Sequence, residues 1–385
     1  MSFTETAERT ALRQSVAKLA GGYGRDFFVR QARSGGKTTD LWLDMGRHGY
    51  LGVAVPEEYG GGGGGIGDLA AVCEELAAQG CPLLMMIVSP AICGTVINRF
   101  GTEEQKQRWL PSLADGTLTM AFAITEPDAG SNSHKITTLA RRTNDGWVLN
   151  GRKTFISGVD EAASVLVVAR AEDAKTGKLK PCLFVVPTDA EGLEYHPIEM
   201  EIVSPENQFT LFLDDVRLPS GALIGDEDAG LVQLFAGLNP ERIMAASFAT
   251  GLARFALGKA TAYVSQREVF DVPIGSHQGV AHPLAQSKIE IELARLMTQK
   301  AAALYDMGDD MGAGEAANMA KYSSAEAACN AADRAVQVHG GNGITSEYGM
   351  AGLLVAARAT RIAPVSREMI LNFVGTFSLG LPKSY

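Results

Sequence analysis

The feature that most limits how this chain can fold is a double change of hydrophobic rhythm. Over residues 1–120, apolar side chains recur at helical spacing between polar ones, as in LRQSVAKLA, LAAVCEELAAQG and TEEQKQRWLPSLADG. Thr102 followed by Gln105 three residues later has the spacing of a capping box, so a helix is expected to start there. Near residue 120 the rhythm changes to short runs rich in Val, Phe and Ile: MAFAIT, GWVLNGRKTFIS, SVLVVARA, PCLFVVP and FTLFLDDVRL. Turn residues punctuate them at Asn144-Asp145-Gly146, Lys175-Thr176-Gly177 and Pro219-Ser220-Gly221. From about residue 230 the helical rhythm returns and holds to the end, in three long stretches rich in Ala and Gly, a composition that suits close helix–helix contact. The reading is an α+β multidomain chain: an N-terminal α-helical domain over 1–120, a middle β-domain over 121–228 and a C-terminal helical domain over 229–385. Too little helix separates the strands for βαβ units.

Composition removes several function classes. The 385 residues carry 34 basic and 44 acidic side chains, a net charge of −10. That balance argues against a nucleic-acid binder, which needs a basic face. No apolar run is long enough to span a bilayer, so no membrane partner is expected, and the acidic N-terminus reads as neither a secretory signal nor a transit peptide. Five scattered cysteines without a CxxC pair, and six histidines without HExxH spacing, point to no metal site and no disulfide framework. A reducing cytoplasm fits this cysteine usage. The glycine run Gly60–Gly65 is read as a flexible loop, since it lacks the lysine of a phosphate-binding loop.

Three segments carry candidate chemistry. Thr125-Glu126-Pro127-Asp128-Ala129-Gly130-Ser131-Asn132 ends a strand in a loop offering hydroxyls and backbone N–H groups to an anionic or heteroaromatic ligand; a plain turn explains the same residues. Asn150 to Gly158 reads as a strand in which Phe155 and Ser157 share a face, an aromatic plane beside a hydroxyl. Gln337-Val338-His339-Gly340-Gly341-Asn342-Gly343 ends a helix, either as simple termination or as a place where backbone approaches a ligand.

In this order, and on this α-β-α plan, AITEPDAGSN, NGRKTFISG and QVHGGNGI resemble the acyl-CoA dehydrogenase family over nearly the whole chain. The resemblance implies a barrel-like or sandwich β-domain, a C-terminal four-helix bundle, and FAD shared between subunits of a homotetramer, a dimer being the minimum. It implies that Thr125 and Ser157 contact the flavin, that Phe155 flanks it where relatives often carry tryptophan, and that Ser131 lies near the pyrophosphate and the substrate. Ser366 takes a further FAD contact. From the neighbouring subunit, Arg267, Phe270, Gln278, Gln337 and Gly341 would hold the ADP half. After that Phe the family usually has Gly; here it is Asp271. The implied reaction is α,β-dehydrogenation of an acyl-CoA to the trans-2-enoyl-CoA, with electrons passed to an electron-transferring flavoprotein.

The chain departs from most relatives at the catalytic base. Where they carry Glu in Tyr-Glu-Gly-Thr, this chain has Pro364 in Ala363-Pro364-Val365-Ser366, which has neither carboxylate nor N–H. A minority of the family carries the base as the Glu immediately before an arginine, and Asn239-Pro240-Glu241-Arg242 stands there. Glu241 is therefore the expected base, with Arg242 at the active-site wall and Asn239 at the mouth where CoA passes; Pro240 is expected in the first turn of a helix. Glu368 is the rival carboxylate. Two other readings keep the FAD: an oxidase, monooxygenase or enoyl-CoA-type reductase on the same fold, and a non-catalytic FAD-containing binding protein.

Overall fold

The computed structural model describes residues 5–173, 176–227 and 230–383. The expected turn residue Lys175 and the expected domain boundary at 228 and 229 lie outside the described residues.

The first unit is helical. It comprises α1 (Ala7–Ser34), α2 (Thr39–Arg47), α3 (Ile66–Ala78), a π-helical segment (Ile87–Gly94) that continues into α4 (Thr95–Phe100), and α5 (Glu103–Ala114). Helix α5 starts on the expected capping box: Thr102 Oγ1 accepts from Gln105 N, and Gln105 Oε1 accepts from Thr102 N.

The glycine run differs from its sequence reading. All six N–H groups are bonded, Gly61 to Pro56, Gly62 to Gly52, Gly63 to Val55 and Gly64 to Val53 among them. A side chain at Gly61 would meet the Val55 carbonyl at 2.1 Å. These glycines allow backbone to lie against backbone, and the segment is a pinned turn rather than a free loop.

The second unit is one eight-stranded sheet: β1 (Met120–Ala123), β2 (Leu139–Arg142), β3 (Gly146–Ser157), β4 (Ser164–Glu172), β5 (Leu179–Pro187), β6 (Leu193–Ile198), β7 (Gln208–Pro219) and β8 (Leu223–Ile224). The order is β6-β7-β3-β2-β4-β5-β8, with β1 and β2 both parallel to β4 and the other pairs antiparallel. Its own core is built mainly of Ala, Val, Leu and Phe, with Trp147 edge-on to Phe184.

The third unit packs α6 (Gly230–Gln266), α7 (Gln278–Asp306) and α8 (Asp310–His339) together, with α9 (Met350–Thr360) and α10 (Arg367–Phe373) on α8. A hairpin of β9 (Glu268–Val269) and β10 (Val272–Pro273) links α6 to α7. The contacts between α6 and α8 are lined with alanines, as the small-residue composition leads one to expect. Among the described residues no helix is long and apolar enough to cross a membrane, and no cluster of His, Cys, Asp and Glu could hold a metal ion.

Pro240 is not in a first turn. It lies inside the 37-residue α6, where its missing N–H leaves the Ala236 carbonyl without its helical donor. The hydroxyl of Tyr305, on α7, donates to that carbonyl at 3.2 Å. A tertiary hydrogen bond thus fills the gap that led the sequence to be read as a helix start.

Candidate active site

Sheet and helices meet along the π-helical segment. Cys93 Sγ donates to the Ala121 carbonyl of β1 at 3.5 Å, and burial together with the charge of Glu241 on α6 pushes its thiol up. At the segment's start, Met85 packs behind Gly158, where a side chain would come within 2.6 Å of its sulfur. Residues 85–93 therefore run from the Ser157-Gly158 turn to Glu241.

Thr125 and Phe155 are brought side by side, because Thr154 N donates to the Thr125 carbonyl at 3.0 Å. Beneath them lies a buried ion pair. Lys153 Nζ donates to Glu126 Oε1 at 2.9 Å and to the Ile124 carbonyl at 3.0 Å. Glu126 also accepts from the N–H and hydroxyl of both Thr137 and Thr138. Burial works to raise the Glu126 pKa, but these donors and Lys153 outweigh it and hold the carboxyl at about 2.

Phe155 sits at a register shift between β3 and β7, in the left-handed region at φ 56°. The bulge changes the simple alternation expected for this strand. Lys153, which strict alternation would put on the face of Phe155 and Ser157, is buried, while Phe155 is 58% exposed. Ile156, between Phe155 and Ser157, is buried, so those two remain on its outer side. A non-glycine residue held in this conformation with its ring in the open suits a planar ligand laid against it. Ser157 Oγ donates to Gln208 Oε1 at 3.0 Å. Ser131 is exposed beyond Gly130, which has nothing near it.

On α6, Glu241 is half-buried, and among the described residues its carboxylate makes no hydrogen bond or ion pair. Burial raises its pKa to about 7, against the opposing charges of Arg242 and Lys321. Arg242 donates to the Leu238 carbonyl at 3.3 Å, and its Nε is buried without a partner among the described residues. Asn239 is buried, and its amide donates to the Asp310 carbonyl at 3.3 Å. Ser366 caps α10, accepting from Met369 N at 3.3 Å, and Glu368 is exposed in the first turn of that helix.

The remaining predicted residues form a second group at the end of the helical bundle. Arg267 follows α6, Phe270 and Asp271 form the hairpin tip, Gln278 opens α7, and Gln337 and Gly341 flank the end of α8. Both tip residues have positive φ, 56° and 64°, which Asp tolerates and Gly would adopt freely. Phe270 is 85% exposed. The tip and the α8 end are tied together by Tyr263, whose ring stacks on His339 at 4.2 Å and whose hydroxyl accepts from Asn342 at 3.1 Å. Exposed Arg267, an open Gly341 backbone and an exposed aromatic ring suit an anionic ligand with a flat base, so both groups fit the two halves of FAD.

The sequence reading missed the Glu126–Lys153 pair, the Tyr263–His339 stack and Lys321. A signal existed for Lys321: it falls on the same helical face as Ala317, Ala325 and Ala328, a lone cation in an alanine stripe. A separate cavity of about 1100 Å³ lies between α5 and the ends of β5 and β7, and none of the predicted site residues lines it.

Comparison with known proteins agrees with this geometry. The N-terminal, middle and C-terminal domain models of acyl-CoA dehydrogenase match residues 6–117, 121–216 and 228–378. The acyl-CoA dehydrogenase FadE12 of Mycobacterium tuberculosis is 64% identical over 384 residues, covering 100% of this chain and 99% of that protein. A glutaryl-coenzyme A dehydrogenase solved with glutaryl-CoA superposes with a TM-score of 0.94 at 29% identity, covering 100% of this chain and 98% of that one. Butyryl-CoA dehydrogenase from Megasphaera elsdenii gives 0.91 at 29% identity, with 98% and 100% covered.

Proposed function

Because this chain belongs to the acyl-CoA dehydrogenase family of FAD-dependent oxidoreductases, we propose that it oxidises an acyl-CoA thioester to the trans-2-enoyl-CoA with Glu241 as the base. The observation that carries the base assignment is the half-buried Glu241 carboxylate, without a hydrogen-bond partner among the described residues and raised to about 7 by burial. A base poised near working pH serves proton transfer best.

FAD, when bound, supplies the acceptor for the two electrons and the β-hydrogen. Thr125, Phe155, Ser157 and Ser366 would hold its ring half, and Ser131 its pyrophosphate. In a homotetramer Arg267, Phe270, Gln278, Gln337 and Gly341 of a neighbouring copy would hold the ADP half. Glu241 takes the α-proton of the thioester, and Arg242 and Lys321 favour its ionised form. The thioester oxygen needs donors, and Pro364 has none to give. The next amide, Val365 N–H, donates to nothing among the described residues and takes that place. Electrons leave to an electron-transferring flavoprotein, as the family resemblance suggests.

The test is anaerobic mixing of the FAD-loaded protein with a panel of acyl-CoA chain lengths. The wild type should bleach in a single turnover with at least one thioester. Glu241→Gln should keep its FAD and fail to bleach. Unchanged bleaching by Glu241→Gln would refute the base assignment, and a wild type that no acyl-CoA bleaches would refute the reaction.

A further inference from the structure

We infer that Lys321 is a positioning residue of this site: its buried side chain ties the 361–366 loop to the Glu241 end of α6 and sets a cation against the base. The inference rests on the reading of Glu241 given above. Lys321 is 1% exposed in the alanine face of α8, where an ammonium is held only by specific partners. Among the described residues its one hydrogen bond is donated to the Val365 carbonyl, next to Pro364. Both ends of the same loop are fastened to one further residue of α8. Glu326 pairs with Arg361 at 2.8 Å and with Arg367 at 3.5 Å, and Arg367 N donates to the Arg361 carbonyl at 3.0 Å. The ends are thus held without Lys321, which reaches the middle of the loop instead.

Titratable groups face Lys321 from three elements. Arg242 and Glu241 stand on α6, Glu368 on α10, and Cys329 on its own helix. Glu241 in turn faces Arg242, Lys321 and, from the π-helical segment, Cys93. Burial, followed by Arg242, lowers the Lys321 pKa to about 8, so the ammonium is still the main form at neutral pH. One side chain therefore connects the peptide beside the expected thioester oxygen with the carboxylate expected to take the α-proton. A lysine kept only for packing would leave the titration of Glu241 untouched.

The experiment measures the pH profile of flavin reduction by acyl-CoA in FAD-loaded Lys321→Met and Lys321→Arg, with Glu241→Gln alongside. Removing the cation raises a carboxylate pKa, so the acid limb of Lys321→Met should move up by about one pH unit. The limiting reduction rate should fall about tenfold, with a smaller change in KM. Lys321→Arg should return the limb to its wild-type position. If Lys321→Met does not retain FAD, Lys321→Gln, which keeps a donor for Val365 and drops the charge, carries the same test. Glu326→Gln, which loosens the loop ends and leaves the cation, should not move the limb. A charge-free variant with full FAD and a wild-type profile overturns the inference. The underlying base assignment fails separately, by bleaching of Glu241→Gln.

Discussion

The Glu126–Lys153 pair offers a sharp energetic test. A carboxyl held at about 2 in place of 4.5 favours the folded state by ~3 kcal/mol at neutral pH. Burial pulls the Lys153 ammonium from 10.5 down to about 8, against the help of Glu126, which opposes folding by ~3 kcal/mol. Both shifts already contain the Glu126–Lys153 attraction, so they are not additive, and each partner alone would be a buried charge. The partners are not equivalent. Glu126 without Lys153 still accepts from two N–H groups and two hydroxyls, whereas Lys153 without the Glu126 charge keeps only the Ile124 carbonyl as an undiminished acceptor. Glu126→Gln should therefore cost about 3–5 kcal/mol, and Lys153→Met about 1–3 kcal/mol. The double variant should fall short of their sum by about 2 kcal/mol. Urea unfolding followed by tryptophan emission measures all three. Equal losses for the two single variants, or strict additivity, would refute this account. Because the Glu126 pKa is depressed, its contribution is complete above pH 4.5 and is lost as pH falls towards 2.

The other predictions are simpler. The wild-type rate of flavin reduction should rise with pH through about 7, since Glu241 must be ionised to act; a flat profile from pH 6 to 8 in stopped-flow mixing would contradict its role. Phe155→Gly should raise stability by about 1 kcal/mol by relieving the left-handed backbone, while FAD binding weakens at least tenfold; calorimetry and FAD titration separate the two. Tyr305→Phe should cost about 1–3 kcal/mol, because the Ala236 carbonyl loses the donor that replaces the Pro240 N–H; a thermal melt unchanged from wild type would count against it.

Much of the fold was legible because it rests on local signals. The capping box at Thr102, the Val-, Phe- and Ile-rich runs of the strands and the alanine-rich helices are properties of short windows of sequence. The ring-half candidates around Phe155 came from the order of three motifs. What escaped depends on tertiary partners. Pro240 looks like a helix start until Tyr305 arrives from another helix, and Gly60–Gly65 looks free until residues 52–57 and Asp68 take its N–H groups. Nothing local announces the bulge that turns Lys153 inward. Glu126 and Lys153 are 27 positions apart, and no periodic pattern pairs them.

The six bonded glycines between Tyr59 and Ile66 have a consequence for how the molecule comes apart. Glycine gains more backbone freedom on release than any other residue, and these have no side chains to anchor them. This stretch is therefore the natural place for local opening to begin. Its amides should exchange with deuterated solvent well before those of the neighbouring helix Ile66–Ala78, although both are fully hydrogen-bonded at rest. An order of release emerges that a count of hydrogen bonds would never suggest.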